Sequence, residues 1–281
     1  MKDLLYTLRG LFRKNALFAV GVVMFTLWIL IALAAPLVVP YDPIGQNLDV
    51  RFQAPSMEHF FGTDEFGRDI FSRVLAGSRI SMAAGILTVV IALILGAIYG
   101  AAAGYIGGFI DDALMRLSEL IKSFPPLVLA MLIAATLGPG INNTLIAMVV
   151  VWWPNYARVM RSVVISIKEQ EFVDTARVIG VSNTRIIFGE IFPNAIGTVL
   201  VMATLDIGNA ILTFSGMSFL GLGAPPPTPE WGAMVANGVD NFAYWWISTF
   251  PGLAILSVAL GANFIGDGVR DYLDPRLRNT V

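Results

Sequence analysis

Long uncharged stretches alternate with short charged ones along this chain. Apart from Asp42 and Asp49, charged residues are absent from 15–50, 80–110, 123–157, 191–205, 207–229 and 241–266. A helix needs about 20 apolar residues to cross the roughly 30 Å hydrocarbon core at 1.5 Å per residue. Because backbone groups in hydrocarbon must be paired internally, these stretches are expected to be helical.

The stretch 123–157 is long enough for two spans, and its segment Gly138-Pro-Gly-Ile-Asn-Asn143 has the composition of a tight turn. Dividing the stretch there predicts six transmembrane helices, near 17–39, 82–104, 124–138, 144–160, 196–221 and 247–268. The first of them exceeds the usual apolar region of about 7–15 residues in a signal peptide. We therefore expect it to be retained in the membrane.

The basic residues predict the orientation. With the N-terminus inside, 14 of the 18 Lys and Arg residues fall in the inner segments, and the other four are Arg51, Arg68, Arg73 and Arg79. An excess of basic residues marks the cytoplasmic side of a membrane protein. We expect a multi-pass protein of the bacterial inner (plasma) membrane with both termini cytoplasmic.

Composition narrows the classes of function. The chain is 56% hydrophobic and 14% charged, whereas soluble domains are about 25% charged. Its net charge of −2 argues against a nucleic-acid partner. With no cysteine and a single histidine, His59, it is not expected to build a thiolate or multi-histidine metal site.

The loop 40–81 is the largest predicted outer segment. Thr63 is placed to cap a helix, and Phe66, Ile70 and Val74 follow at helical spacing. We predict an amphipathic helix on the outer membrane surface, and a division of the chain into 1–81 and a five-helix core at 82–281. In the second outer loop, at 223–246, Trp245 and Trp246 are interpreted as interfacial anchors.

The segment 161–190 carries the densest cluster of charges between two spans. Gly180 is suited to the left-handed position that ends a short helix, and Ser182 to the N-cap of the next. The pattern predicts a helix–turn–helix beneath the membrane. Because Ala176 and Gly180 carry little or no side chain, the backbone there is able to approach a groove on a partner protein closely.

Residues 171–193 resemble the EAA loop of ABC-importer permeases. Asp174-Thr-Ala176 takes the place of Glu-Ala-Ala, and Gly180 and Pro193 follow at the family's spacing. The chain departs from that pattern at Asp174, Thr175, Glu190 and Phe192. Three further segments resemble the second permease subunit of the dipeptide/oligopeptide/nickel branch: Gly62-Thr-Asp-x-x-Gly-Arg-Asp69, Ser218-Phe-Leu-Gly-Leu-Gly223 with Trp231-Gly232, and the segment 263–276.

The resemblance implies an all-α type I permease fold with six transmembrane helices, a coupling helix and a coupling loop at 161–193. It implies a paralogous permease, two cytoplasmic ATPase subunits that bind ATP and Mg, and an extracytoplasmic solute-binding protein. The implied coupling residues are Glu171, Asp174, Ala176, Arg177, Gly180, Ser182, Arg185 and Pro193. The outer-loop motif residues are Gly62, Thr63, Asp64, Gly67, Arg68 and Asp69.

We expect this chain to be a transport subunit and not an enzyme. None of its lysines lies in a Gly-x-x-x-x-Gly-Lys-Ser/Thr phosphate loop, so it is not expected to hydrolyse ATP. Asp206 is the one acid predicted near mid-membrane, where a charge costs about 2.5–3.5 kcal/mol. It either lines the translocation path with Asn209 and Thr213 or makes a structural hydrogen bond.

The expected solute is a di- or oligopeptide, and nickel or another small solute of the same branch is the alternative. A stand-alone ion-coupled carrier that uses Asp206 is a second alternative. Intramembrane proteolysis fits less well, because Thr213-Phe-Ser-Gly216 and Phe264-Ile-Gly-Asp267 each lack a glycine that the corresponding protease motif requires.

Overall fold

The computed structural model describes residues 15–273 and is helical, with no strand in that range. The helices are α1 (Ala16–Val38), α2 (Ile70–Ile106), α3 (Gly108–Lys122), α4 (Pro126–Leu137), α5 (Ile141–Lys168), α6 (Glu171–Val178), α7 (Asn183–Ile186), α8 (Phe192–Phe219), α9 (Trp231–Asp240) and α10 (Trp246–Leu273). A π-helical turn, Ile187–Ile191, joins α7 to α8. The expected charged ends of the chain, from Lys2 to Lys14 and from Asp274 to Arg278, lie outside the described residues.

A helix lies at each of the six predicted positions, but not every one of these helices is long and apolar enough to cross a bilayer. Four are long and apolar enough: Ala16–Val38, Ile70–Ile106, Asn183–Phe219 and Trp246–Asp271. The consecutive helices α3 and α4, bent by 87° between them, make a fifth span if they count as one. The described chain thus holds four to five apolar spans, and the count of six stays a prediction.

The turn predicted in the longest uncharged stretch is present. It separates α4 from α5 at residues 138–140. Gly138 has a φ of +88° and Gly140 a φ of +153°, backbone conformations that glycine adopts without steric cost. This turn allows two antiparallel helices to follow each other directly.

The chain forms two compact units by contact density. Unit 1 contains residues up to 87, 133–145 and 204 onwards, and its core is built around Ile70, Trp231 and Ile247. Helix α1 packs against α10 in this unit. The Nε1–H of Trp28 donates to the Oγ of Ser257 at 2.9 Å.

Unit 2 contains residues 88–132 and 146–203. Its part of α2 carries glycine at every fourth position, and these glycines face α5. A Cβ on Gly100 would lie 2.2 Å from the carbonyl oxygen of Ala157, and one on Gly96 would lie 2.5 Å from the Cβ of Tyr156. Small residues at this spacing let the two backbones approach closely, as is common in membrane helices.

The predicted amphipathic outer helix is wrong. Helix α2 begins only at Ile70, and the preceding residues fold as a compact non-helical loop. Thr63 does not cap a helix: its hydroxyl donates to the carbonyl of Val50 at 2.5 Å and accepts from the N–H of Gln53 at 2.9 Å. The segment is buried rather than spread on a surface, because its polar side chains bond one another and the backbone.

The two tryptophans predicted as interfacial anchors differ in burial, and the anchoring role of Trp245 stays a prediction. Trp245 is exposed. Trp246 is buried in the core of unit 1, and its Nε1–H donates to the carbonyl of Thr63 at 3.1 Å. A buried indole with its one donor satisfied is a packing residue and not an interfacial anchor.

Candidate functional site

The predicted helix–turn–helix is present in unit 2. We call residues 171–186, which comprise α6, the turn and α7, the elbow. Gly180 has a φ of +82°. Its N–H donates to the carbonyl of Arg177, and the N–H of Val181 donates to the carbonyl of Ala176, both at 3.0 Å. This pair of bonds is a Schellman motif, so the prediction that Gly180 ends a short helix is confirmed.

The second half of the elbow leads into a long helix without a break. Ser182 occupies the N-cap position of α7, as predicted, although its side chain makes no capping hydrogen bond. The π-helical turn follows, and the N–H of Phe192 donates to the carbonyl of Ile187. Pro193 follows directly in the same continuous helix, where it lacks the N–H that would bond one turn back.

The elbow exposes most of the residues expected to couple to a partner. Ala176 is half-buried, and the following are exposed: Glu171, Asp174, Arg177, Gly180, Ser182, Arg185 and Pro193. Exposed apolar side chains lie among them, since Val178 is 86% exposed, Ile179 73% and Phe172 40%. An apolar ridge on a charged surface segment is typical of a protein-binding surface.

Polar contacts hold the elbow to the rest of unit 2. The hydroxyl of Tyr105 donates to the Oδ1 of Asn183 at 2.7 Å, and the Nζ of Lys168 donates to the carbonyl of Tyr105 at 2.6 Å. Asp111 on α3 accepts two hydrogen bonds from Arg161 on α5. A polar recess of about 470 Å³ lies between these groups. Sequence reasoning missed these contacts, because the partners are distant in the chain.

The candidate path residues share one face of α8 in unit 1. Asn209 is exposed, and Asp206 and Thr213 are half-buried. On the opposite side, Gly208 is buried, and a Cβ there would lie 2.9 Å from the carbonyl oxygen of Ala259. Near Gly208, helix α8 therefore packs closely against α10 within unit 1, while Asn209 on the polar face is exposed.

The outer-loop motif forms a buried network in unit 1. The Oδ1 of Asp64 accepts from the N–H of Arg68 at 3.0 Å, and its Oδ2 accepts from the Nε of the same residue at 2.6 Å. Asp69 accepts from the N–H and the hydroxyl of Ser72 and lies 2.9 Å from the Nδ1 of His59. Gly62 and Gly67, with φ of +74° and +69°, turn the chain around these side chains.

Glu230, also in unit 1, has a structural role that was not predicted from the sequence. Glu230 is fully buried and caps α9: its carboxylate accepts from the N–H groups of Gly232 and Ala233 at 3.0 and 2.9 Å. It also accepts from the hydroxyl of Ser81 at 3.0 Å. Burial raises the pKa of the Glu230 carboxyl above its ordinary value, and these hydrogen bonds oppose the rise. Its position just before Trp231 was the only sequence signal.

No group of three or more His, Asp or Glu residues within 15–273 is placed to hold a metal ion.

Comparison with known proteins gives two matching family models. The one described as "Binding-protein-dependent transport system inner membrane component" matches residues 92–279. The one described as "N-terminal TM domain of oligopeptide transport permease C" matches residues 9–55. Together they include α1, unit 2 and most of unit 1.

Curated relatives match over nearly the whole chain. The dipeptide transport system permease protein DppC of Alkalihalophilus pseudofirmus is 45% identical over 268 residues, which are 95% of this chain and 88% of that protein. The oligopeptide transport system permease protein OppC of Bacillus subtilis is 40% identical, with the same coverage of both chains. The glutathione transport system permease protein GsiD of Shigella flexneri is 41% identical, covering 95% and 89%. This chain therefore belongs to the family of inner membrane components of binding-protein-dependent transport systems.

Proposed function

We propose that this chain is a permease subunit of an ATP-driven importer and that it carries di- or oligopeptides across the inner membrane. The observation that carries the proposal is the elbow: a Schellman-terminated helix that presents Val178 and Ile179 to solvent beside exposed charges. An apolar ridge flanked by charged residues is typical of a surface that binds a protein partner. The coupling role of Gly180 and its neighbours rests on this geometry.

The partner for the elbow is an ATPase subunit, and ATP and Mg bind there rather than on this chain. The permease chain offers no phosphate loop. The hydroxyl of Tyr105 on α2 donates to Asn183 of the elbow, and Lys168, just before the elbow, donates to the carbonyl of Tyr105. A push on the elbow is therefore transmitted to α2 in the same unit. The importer contains two such ATPase subunits, one for each permease.

The translocation path runs along the polar face of α8. Asp206, Asn209 and Thr213 recur on that face, and a paralogous permease supplies the opposite wall. A carboxylate at Asp206 suits the terminal ammonium of a peptide, because an opposite charge offsets the cost of burying both groups. The extracytoplasmic solute-binding protein delivers the peptide to the loops of unit 1. There a cavity of about 590 Å³ is bordered by Glu65, Asp240 and prolines 225–227.

The solute class follows from the relatives, whose names give a dipeptide, an oligopeptide and glutathione. All three share a peptide backbone with charged ends. The direction is inward, since the family's description names a binding-protein-dependent system. The excess of basic residues in the inner segments supports a cytoplasmic location for both termini.

Reconstitution tests the proposal. The chain is assembled in proteoliposomes with its paralogous permease and ATPases, and the binding protein and a labelled dipeptide are added outside. We expect uptake that requires ATP inside the vesicle and the binding protein outside. Uptake by this chain alone, driven by an ion gradient, would instead identify a stand-alone carrier. ATP-dependent uptake of nickel without peptide uptake would change the proposed solute and leave the proposed ATP-driven import intact.

A further inference from the structure

An open groove in unit 1 is lined by none of the residues proposed for coupling or for the translocation path. Its volume is about 830 Å³, and it lies between the end of α1, the first part of α2 and the start of α5. The lining residues from α2 are Ala76, Arg79, Ile80, Ala83, Ala84 and Leu87. The groove is at the end of the spans where the loop 39–69 follows α1.

The groove is polar at one end and apolar at the other. Arg79 lies one turn before the predicted start of the membrane span at residue 82. Leu87 lies eight residues further along α2, which is about 12 Å deeper at 1.5 Å per residue. The walls between them are alanine and isoleucine from α2, and Leu145 faces the groove from α5. This gradient matches that of an amphiphile, with its headgroup at the interface and its chain in hydrocarbon.

Two side-chain donors at the polar end have no partner within the described chain. Arg79 is exposed and makes no ion pair or hydrogen bond with any residue of 15–273, whereas four other arginines each lie within 4 Å of a carboxylate oxygen: Arg68, Arg73, Arg161 and Arg177. The side-chain amide of Asn142 is exposed and also has no partner among these residues. A guanidinium beside an amide donor is suited to a phosphate oxygen.

One acid borders the same end. The Oδ1 of Asp42 accepts from the N–H of Ile44 at 3.0 Å, and its Oδ2 remains available to the groove. The groove therefore offers a cation, an amide donor and an anion around an apolar slot. We propose that it binds an aminophospholipid, with the phosphate at Arg79 and Asn142, the ammonium at Asp42 and an acyl chain against Ala83 and Leu87.

The charges in the groove favour a phospholipid over a helix of another protein as its occupant. A helix packed in the slot would bury Arg79 against apolar side chains, which costs free energy unless the partner supplies an anion. A lipid in the leaflet supplies the anion together with the hydrocarbon and needs no new contact elsewhere. The proposed lipid site requires that the chain lies in a membrane. It does not depend on which solute is transported.

Lipid binding to the purified, assembled transporter tests the proposal. After removal of lipid with detergent, the complex is titrated with phosphatidylethanolamine or phosphatidylglycerol, and bound lipids are counted by native mass spectrometry. We expect wild type to retain one phosphatidylethanolamine in preference to phosphatidylglycerol. Arg79→Gln should weaken binding of both about tenfold, which corresponds to about 1.4 kcal/mol, because the variant loses the charged hydrogen bond to the phosphate. Soluble glycerophosphoethanolamine should not compete.

Matched variants separate the two parts of the ligand. Asp42→Asn should abolish the preference for the amine headgroup and leave phosphatidylglycerol binding intact. Ala83→Trp fills the slot from an exposed position and should weaken binding of both lipids. Val90→Trp, at an exposed position on α2 outside the groove, is its control. Wild-type lipid retention in both Arg79→Gln and Ala83→Trp would overturn the proposal.

Cross-linking in native membranes tests the competing occupant. The chain contains no cysteine, so Ala83→Cys introduces a unique thiol. We expect this thiol to react with a lipid-soluble maleimide and not to cross-link to the paralogous permease through a short bifunctional reagent. Efficient cross-linking to that permease would show a protein in the groove and would refute the lipid assignment. Neither result depends on peptide uptake, so the proposed function is tested separately.

Discussion

Asp111, at the start of α3, and Arg161, near the end of α5, form a bidentate ion pair. The Nε of Arg161 lies 2.5 Å from Oδ1 and its Nη2 2.6 Å from Oδ2 of Asp111. Both side chains are largely shielded, with exposures of 10% for the aspartate and 33% for the arginine. Planar bidentate geometry of this kind fixes orientation as well as distance. The pair sets the position of α3 relative to the helix that leads into the elbow.

Asp111→Asn should lower the thermal stability of the assembled complex. The change removes charge-assisted hydrogen bonds worth about 1.5–3 kcal/mol and leaves the guanidinium partly buried. The measurement is the midpoint of thermal unfolding in detergent, and we expect a drop of a few degrees. Asp112→Asn is the matched control, because Asp112 is exposed and has no ion pair within residues 15–273. An equal effect of both changes would show that the pair does not stabilise the unit.

Substitutions at Gly180 should distinguish the effect of backbone strain from the loss of docking to the ATPase. A Cβ at Gly180 would meet nothing within 4 Å, so the cost of Gly180→Ala is that of the left-handed backbone, about 1–2 kcal/mol. Gly180→Asn should be tolerated, since asparagine is the next most common residue at this position. Gly180→Trp should abolish uptake and ATPase co-purification without changing the binding protein's affinity for its ligand. Normal uptake in Gly180→Trp at wild-type expression would contradict docking through this turn.

Local sequence signals predicted the elbow well and the outer loop poorly. Glycine at a left-handed position and serine before a new helix act within a few residues, so Gly180 and Ser182 were placed correctly. The same helical pattern at 63–74 failed because the hydrogen bonds that the Thr63 hydroxyl donates to Val50 and accepts from Gln53 compete with helix formation. Propensity is a weak prior wherever buried polar groups find distant partners.

The other features that were not predicted are contacts between residues far apart in the sequence. Asp111 and Arg161 are 50 positions apart, and Ser81 and Glu230 are 149 apart. No periodicity connects such pairs. By contrast, the four-residue glycine spacing from Gly96 to Gly104 is visible in the sequence and would have predicted the close packing in unit 2.

Glu230 should make the stability of unit 1 depend on pH. Burial raises its pKa above the ordinary value of 4.5, so the folded state holds a proton that the unfolded state has already released. Stability should therefore fall as the pH rises from about 4.5 through the raised pKa. Glu230→Gln should flatten this slope, measured as the thermal midpoint of the complex between pH 4.5 and 8. Glu58→Gln, on an exposed residue, is the control, and an unchanged slope in Glu230→Gln would refute this assignment.

Asp206→Asn should alter transport more than assembly. If the polar face of α8 lines the path, the change removes the carboxylate that meets the solute's ammonium group. Uptake of peptides with a free N-terminus should then fall relative to uptake of N-acetylated peptides, and this fall should exceed the one that Thr213→Val causes. Thr213→Val is a companion change on the same face without a charge. A lower thermal midpoint with unchanged solute preference would assign Asp206 a structural role instead.

Thiol labelling of single-cysteine variants should determine the orientation of the chain. Met57 in the loop after α1 is 90% exposed, and Val178 on the elbow is 86% exposed. Met57→Cys should react with a membrane-impermeant maleimide in intact spheroplasts, and Val178→Cys only after lysis. Glu65→Cys should react more slowly than Met57→Cys, since the Glu65 side chain is 19% exposed and accepts hydrogen bonds from the Nδ2 of Asn237 at 2.8 and 2.9 Å. The reverse pattern, with Val178→Cys labelled first, would show that the elbow lies outside and would remove the basis for its contact with an ATPase.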